Sequence, residues 1–417
     1  MCDQLVHFTP EDILSEDFMR ELMPSLSFGD AGVAETHLPE AQARPSLPRP
    51  SPGDPCAASP VPHFRAALIQ RGFVRQTARE TWGDAVPGAL LSALSVGLTS
   101  LAERGLPLSL VSMSREAQAV ARALKRVVTS GLSIEHAAIG DWAFFHVDAG
   151  RGGKGWPPHR DRARVDGALD SDGSPNYVTC WLPLSSASPY SSCLYMVPRA
   201  HDPGYEAGDM PDPASHDDSA GGEGGAYGGG SGALDRDHPL TRAFASPASW
   251  QHIVALPTGR GGLVCFSSRT LHWGSLPLEA LEDAGEPARA PRQALSIAFA
   301  TAAFEHPALA RGGACEAPTF TEAAALAAAQ ALIYHDQAPL SAPHARAFLG
   351  VLQGRAGGLL DPGYRARAVK AGDWACFTQG LVSALGPQGP PSAAAVSLAF
   401  AALAAAEAGF ATADYVS

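Results

Sequence analysis

Six short runs between residues 143 and 300 constrain the fold of this chain more than any other feature. Residues 143–147, 177–182, 192–197, 250–256, 262–266 and 294–300 read as strands, separated by loops rich in Gly and Pro. Upstream of them the apolar spacing is helical, and from about residue 131 it shifts towards two. Several short strands over such a stretch predict an antiparallel barrel or jelly roll rather than alternating βαβ units. The fold class expected is α+β: a jelly-roll core with flanking helices.

The flanks divide accordingly. Thr9, Pro10, Glu11 and Asp12 form a helix start, with a capping hydroxyl, Pro at the first position and acids in the first turn. Further helices are expected over 64–71, ended by Gly72, over 86–103, and from the Ser114 cap to residue 130, stopped at Gly131. Residues 38–62 are rich in Pro, Ser and Ala and have no periodicity, as in a linker. The expected organisation is an N-terminal helical segment (1–37), a Pro-rich linker (38–62), a jelly-roll domain (63–318) and an Ala-rich helical C-terminal region (319–417). Within the third, the Gly-rich stretch at 202–240 reads as a flexible insertion.

Composition narrows the class of partner. A net charge of -12 without a Lys/Arg cluster argues against general nucleic-acid binding, which needs phosphate-neutralising cations. Residues 85–102 carry no charge, yet Leu90, Leu91, Leu94, Leu98 and Leu101 form a one-sided stripe, as in a buried amphipathic helix and not a span. The 7 cysteines are scattered and without a C-x-x-C pair, which fits reduced thiols in a cytoplasmic setting. No secretory leader is expected from the first residues.

Chemistry enters with histidine. His-x-Asp tripeptides occur at 146–148, 159–161 and 216–218. The last lies in the Gly/Asp insertion, and loops preorganise ligands poorly. His146 and Asp148 end an aromatic strand, a common place for a structural histidine. His159 and Asp161 follow Trp156-Pro157-Pro158, a stiff entry, and in extended backbone both side chains share one face. A second imidazole is best supplied by His272, just beyond the apolar run 262–266; His201, His238, His252 and His306 compete. Two imidazoles and a carboxylate make a facial triad that holds Fe(II) and leaves coordination positions open. Zinc could occupy the same set.

Arg292 opens the strand-like run to Phe299. At period two, Arg292, Ala294, Ser296, Ala298 and Ala300 share a face that is small apart from a guanidinium and a hydroxyl, suited to a carboxylate. Arg289 is the neighbouring alternative.

Together, His159/Asp161, residues 177–184, the Leu194–His201 stretch with Val197-Pro198-Arg199-Ala200-His201, residues 266–272 and Arg292 resemble the phytanoyl-CoA dioxygenase-like Fe(II)/2-oxoglutarate oxygenases over roughly 63–305. The resemblance implies a double-stranded β-helix, iron held by His159, Asp161 and His272, 2-oxoglutarate held by Arg292, and Trp181 lining the co-substrate pocket. It also implies O₂ as a reactant and hydroxylation over halogenation, because Asp161 is present. The chain departs from the pattern in placing Arg292 20 residues after His272. The expected substrate is a small or lipid-like molecule, and no protein partner is indicated. Two other readings are a cupin-like metal protein without oxygenase turnover and a degenerate scaffold for protein partners.

Overall fold

The structure is a computed structural model that describes residues 8–29, 60–84, 86–133, 137–148, 155–162, 166–208, 247–275, 291–305, 308–311, 318–335 and 340–385. The described residues hold eight strands: β1 (Phe73–Gln76), β2 (Ala137–Val147), β3 (Tyr177–Pro183), β4 (Leu194–Met196), β5 (Val254–Leu256), β6 (Leu263–Ser267), β7 (His272–Gly274) and β8 (Arg292–Ala300). They form a five-stranded sheet in the order β1-β6-β3-β8-β2 and a three-stranded sheet in the order β5-β4-β7. The pairings are antiparallel. This is the expected jelly-roll core with flanking helices.

The large sheet is apolar on both faces. Val178, Cys180, Leu182, Cys265, Leu295, Ile297 and Phe299 face the helices in one core. Trp181, Val264, Phe266 and Ala294 face the other way, onto Cys193, Leu194, Met196 and Leu256 at the small sheet. Burial on both faces explains why β3 and β6 read as continuous apolar runs instead of alternating ones.

The helix Gly88–Glu103 buries Leu91, Leu94, Leu98 and Leu101, as its stripe predicts. Its hydroxyls tie it down: Ser95 and Thr99 meet Gln293 of β8, and Ser100 Oγ donates to the Leu22 carbonyl at 2.7 Å. Among the described residues, no helix is long and apolar enough to cross a membrane. Ser114 caps the helix Arg115–Leu132 as expected, but the helix passes through Gly131 and ends at left-handed Ser133 (φ 59°). Gly131 serves packing instead, since a Cβ there would stand 2.5 Å from the Phe64 ring. The Ala-rich helix Phe320–Ile333 packs against the helices Ala342–Gln353 and Pro362–Leu385, its alanines buried.

Three expected strands differ appreciably in extent, one of them 192–197, which shortens to Leu194–Met196. The first part of 250–256 is a 3-10 turn, Pro247–His252, because β4 offers only Leu194–Met196 for pairing with β5. β2 begins at Ala137, well before residue 143, and its register shifts between Ala138 and Trp142. Asp141 lies on that irregularity, a device that re-aims side chains.

Candidate metal centre

β7 is an edge strand of the small sheet, and its outer edge pairs with the segment before Asp161. His159 N donates to the His272 carbonyl, and His272 N to the His159 carbonyl, each at 3.0 Å. Directly opposed residues project to the same side, and the imidazole centroids are 4.2 Å apart. Gly155 and Gly274 permit this approach, since a Cβ on Gly155 would lie 2.2 Å from the Gly274 carbonyl oxygen.

Asp161 Oδ1 stands 3.3 Å from His159 Nε2 and 3.6 Å from His272 Nε2. One ligand atom from each residue falls within 4.8 Å of the others. The far ring nitrogens settle the tautomers. His159 Nδ1 lies 2.7 Å from the Pro157 carbonyl oxygen, and His272 Nδ1 lies 3.0 Å from that of Thr270. A carbonyl only accepts, so Nδ1 carries the proton and a neutral ring turns its Nε2 lone pair to Asp161. Thr179 donates to Asp161 Oδ2, leaving Oδ1 for the convergence. Two lone pairs and a carboxylate oxygen aimed at one point repel one another and suit a divalent cation.

Burial and the neighbouring His159 push His272 down to about 4 against the pull of Asp161, so its ring is neutral at neutral pH. For Asp161, burial acts upwards, but His272, His159 and Thr179 outweigh it and hold the carboxyl well below its ordinary range. An imidazole at about 4 when folded and 6.5 when unfolded leaves the unfolded chain with more bound protons between those values. Stability of the metal-free protein should therefore fall as pH drops from 6.5 to 4. Asp161 adds a further loss below its unfolded value of 3.8. Thermal midpoints across this range check the sign, and His272→Gln should flatten the upper part.

Arg160, between the two ligands, turns the other way. Its guanidinium is bidentate to Asp202, with Nη2 donating to Oδ1 at 2.8 Å, and Nη1 also meets the Arg269 carbonyl. The pair is almost wholly buried, at 2% and 1% side-chain exposure. It ties together the ligand segment, the loop after β4 and the turn before His272.

Arg292 is buried beside the large sheet's inner face. It lies over the rings of Phe145 and Trp181, 5.4 and 5.8 Å from their centroids. Nη2 donates to Ser192 Oγ at 3.0 Å, while Nε and Nη1 have no hydrogen-bond partner among the described residues. Burial pulls this guanidinium down to about 10. Ser296 shares the strand face but lies opposite Trp181 and Ala143.

Behind the centre, Asp141 accepts hydrogen bonds from Arg162, from Tyr177 at 3.1 Å and from Tyr334 at 2.6 Å, linking the C-terminal helices to the strands. Tyr334→Phe should cost about 1.5–3 kcal/mol, the range for hydrogen bonds to charged groups, measured by urea unfolding.

The competing histidines among the described residues lie elsewhere. His201 and His252 stack on each other, centroids 3.6 Å apart. His146 pairs with Gln293, which bonds to the helix Gly88–Glu103, so the alternation of β2 turns it to the helix side. His216, His238, His306 and Arg289 lie outside the described residues. Sequence reasoning missed Arg160, Asp202, Ser192 and Asp141. A charged residue between two ligands and a hydroxyl at a tight turn were the signals available.

Residues 110–276 match the phytanoyl-CoA dioxygenase (PhyH) family. The match takes in His159, Asp161, Trp181, Ser192 and His272 and ends before Arg292. No curated protein sequence matches the chain. Among solved structures, AviO1 from Streptomyces viridochromogenes Tue57 aligns over 61% of this chain and 98% of its own, at 17% identity and a TM-score of 0.36. SnoN, a non-heme α-ketoglutarate-dependent epimerase from nogalamycin biosynthesis, aligns over 58% and 83%, at 13% identity and 0.35. The non-heme monooxygenase ThoJ, in a nickel complex, aligns over 66% and 98%, at 12% identity and 0.39.

Proposed function

We propose that this chain is an Fe(II)- and 2-oxoglutarate-dependent dioxygenase of the PhyH type that oxidises a small or lipid-like molecule. The observation that carries the reading is the convergence of His159 Nε2, His272 Nε2 and Asp161 Oδ1 on one point, with both Nδ1 atoms facing backbone carbonyls. His159, Asp161 and His272 fit a ferrous ion as a neutral, neutral, anionic set and cover one side of it. With 2-oxoglutarate and O₂, iron so held supplies the reaction R–H + 2-oxoglutarate + O₂ → R–OH + succinate + CO₂.

The chain's own groups do the rest. Pro157 and Thr270 carbonyls fix the ligand tautomers, Thr179 orients the Asp161 carboxylate, and Arg160 with Asp202 locks the ligand segments in register. Arg292 offers Nε and Nη1, unpaired among the described residues, to the far carboxylate of 2-oxoglutarate, against the apolar walls of Phe145 and Trp181. A buried guanidinium without an anion is costly, so the pocket favours a carboxylate partner. Ser296, further along the same face, is assigned to the co-substrate side as well. We read residues 63–318 as the catalytic domain, with the helices Pro10–Ile13, Glu16–Leu22, Phe320–Ile333, Ala342–Gln353 and Pro362–Leu385 packed around it. Free thiols at Cys180, Cys193, Cys265 and Cys376 support a cytoplasmic setting.

The test is succinate formation from 2-oxoglutarate by protein loaded anaerobically with Fe(II) and then exposed to O₂. Succinate from the wild type and none from His272→Ala is the expected result. Bound metal with neither succinate nor 2-oxoglutarate binding would favour a metal protein without oxygenase turnover.

A further inference from the structure

Ser192 stands in backbone that serine avoids. Its φ is 63°, and the other non-glycine residue with positive φ among those described, Ser133, closes a helix. Ser192 closes a turn instead: just before β4, Cys193 N donates back to the Ser188 carbonyl at 2.9 Å. Left-handed backbone is where glycine is free of strain, and strained side chains persist when something over-determines them.

Its side chain shows what that could be. Ser192 is fully buried, and its Oγ donates to the Ser275 carbonyl at 2.6 Å. With the hydroxyl proton committed there, the oxygen lone pairs are left to receive Nη2 of Arg292 at 3.0 Å. The Ser275 carbonyl is itself fixed, since Ser275 N donates to the Cys193 carbonyl at 3.0 Å. The guanidinium is thus held by one neutral acceptor, with Nε and Nη1 still unpartnered among the described residues. A carboxylate acceptor here would have neutralised Arg292; a hydroxyl orients it and leaves its charge for another anion.

We propose that Ser192 is a positioning residue for the dicarboxylic co-substrate: its turn holds it in left-handed backbone, and its Oγ orients Arg292 towards the incoming carboxylate. This rests on the assignment of Arg292 to 2-oxoglutarate. The role separates cleanly from a structural one, because glycine at this position relieves the backbone and removes the hydroxyl together.

The experiment titrates 2-oxoglutarate into the Co(II)-loaded full chain by calorimetry, for wild type, Ser192→Gly and Ser192→Ala, with thermal midpoints and Co(II) affinity alongside. Both variants are expected to bind 2-oxoglutarate about tenfold more weakly, as supporting-residue changes do. Co(II) affinity should be unchanged, and the thermal midpoints establish that each variant is folded at the titration temperature. In turnover the same loss should raise KM for 2-oxoglutarate more than it lowers kcat. Wild-type 2-oxoglutarate affinity in the folded Ser192→Gly and Ser192→Ala proteins would overturn the inference. If the wild type itself binds Co(II) but no 2-oxoglutarate, the co-substrate assignment falls, and this inference with it.

Discussion

Asp161→Ala is expected to leave the protein folded while lowering iron affinity by about two orders of magnitude or more, beyond the 10–100-fold typical of supporting residues. Asp161 is the anionic member of the set, with one oxygen on Thr179 and the other facing both imidazoles. Without it, two neutral rings hold a divalent ion with no charge to offset its own. Succinate formation should disappear with the iron. The fold should tolerate the change, because Asp161 keeps partial exposure and its loss removes a carboxylate from among inward-turned lone pairs. Iron affinity near wild type in a folded Asp161→Ala protein would end the triad assignment.

The second large effect is on stability. Arg160→Ala should cost about 3–5 kcal/mol, the range for removing one partner of a buried ion pair, because it strands the Asp202 carboxylate. Asp202→Ala should cost a similar amount. The pair Arg160→Met with Asp202→Leu should cost less than the sum of the single changes, since no buried charge is then left alone. Urea unfolding of the four proteins measures this. Additive losses would mean that each residue acts through separate contacts. Activity in the double variant should stay low even where stability returns, as Nη1 also carries the Arg269 carbonyl that precedes His272.

How much of this was legible in the sequence depended on whether a partner lay nearby in the chain or across the fold. Strands β3, β6 and β8 were readable because burial on both faces leaves apolar runs. β7 was not, since Thr270-Leu271-His272-Trp273-Gly274 carries no strand pattern and is ordered by β4 and the bridge to His159. The triad itself was readable: the extended segment after Pro157 puts His159 and Asp161 on one face, and a rigid strand precedes His272. Their convergence required the antiparallel bridge. Arg160 was opaque, because its counter-charge lies 42 residues downstream and a charged residue between ligands is ordinarily solvated.

Arg292 illustrates the limit differently. Periodicity placed Ser296 on its face, which β8 bears out, but at about 3.3 Å per residue the two stand roughly 13 Å apart along the strand. The hydroxyl that meets the guanidinium comes from Ser192, 100 residues away in sequence. Composition could not reveal that Asp141 sits on a strand irregularity where Tyr334 from the C-terminal helices can reach it.

The proposed site holds one ferrous ion on His159, Asp161 and His272 with a face left open to a 2-oxo acid. Anaerobic titration of the Fe(II)-loaded protein with 2-oxoglutarate tests it most directly, through the visible charge-transfer absorption that arises when a 2-oxo acid chelates ferrous iron. A band saturating at one equivalent, absent in Asp161→Ala and needing more 2-oxoglutarate in Arg292→Gln, is the expected result. Iron bound at full occupancy with no band at any 2-oxoglutarate concentration would contradict the account.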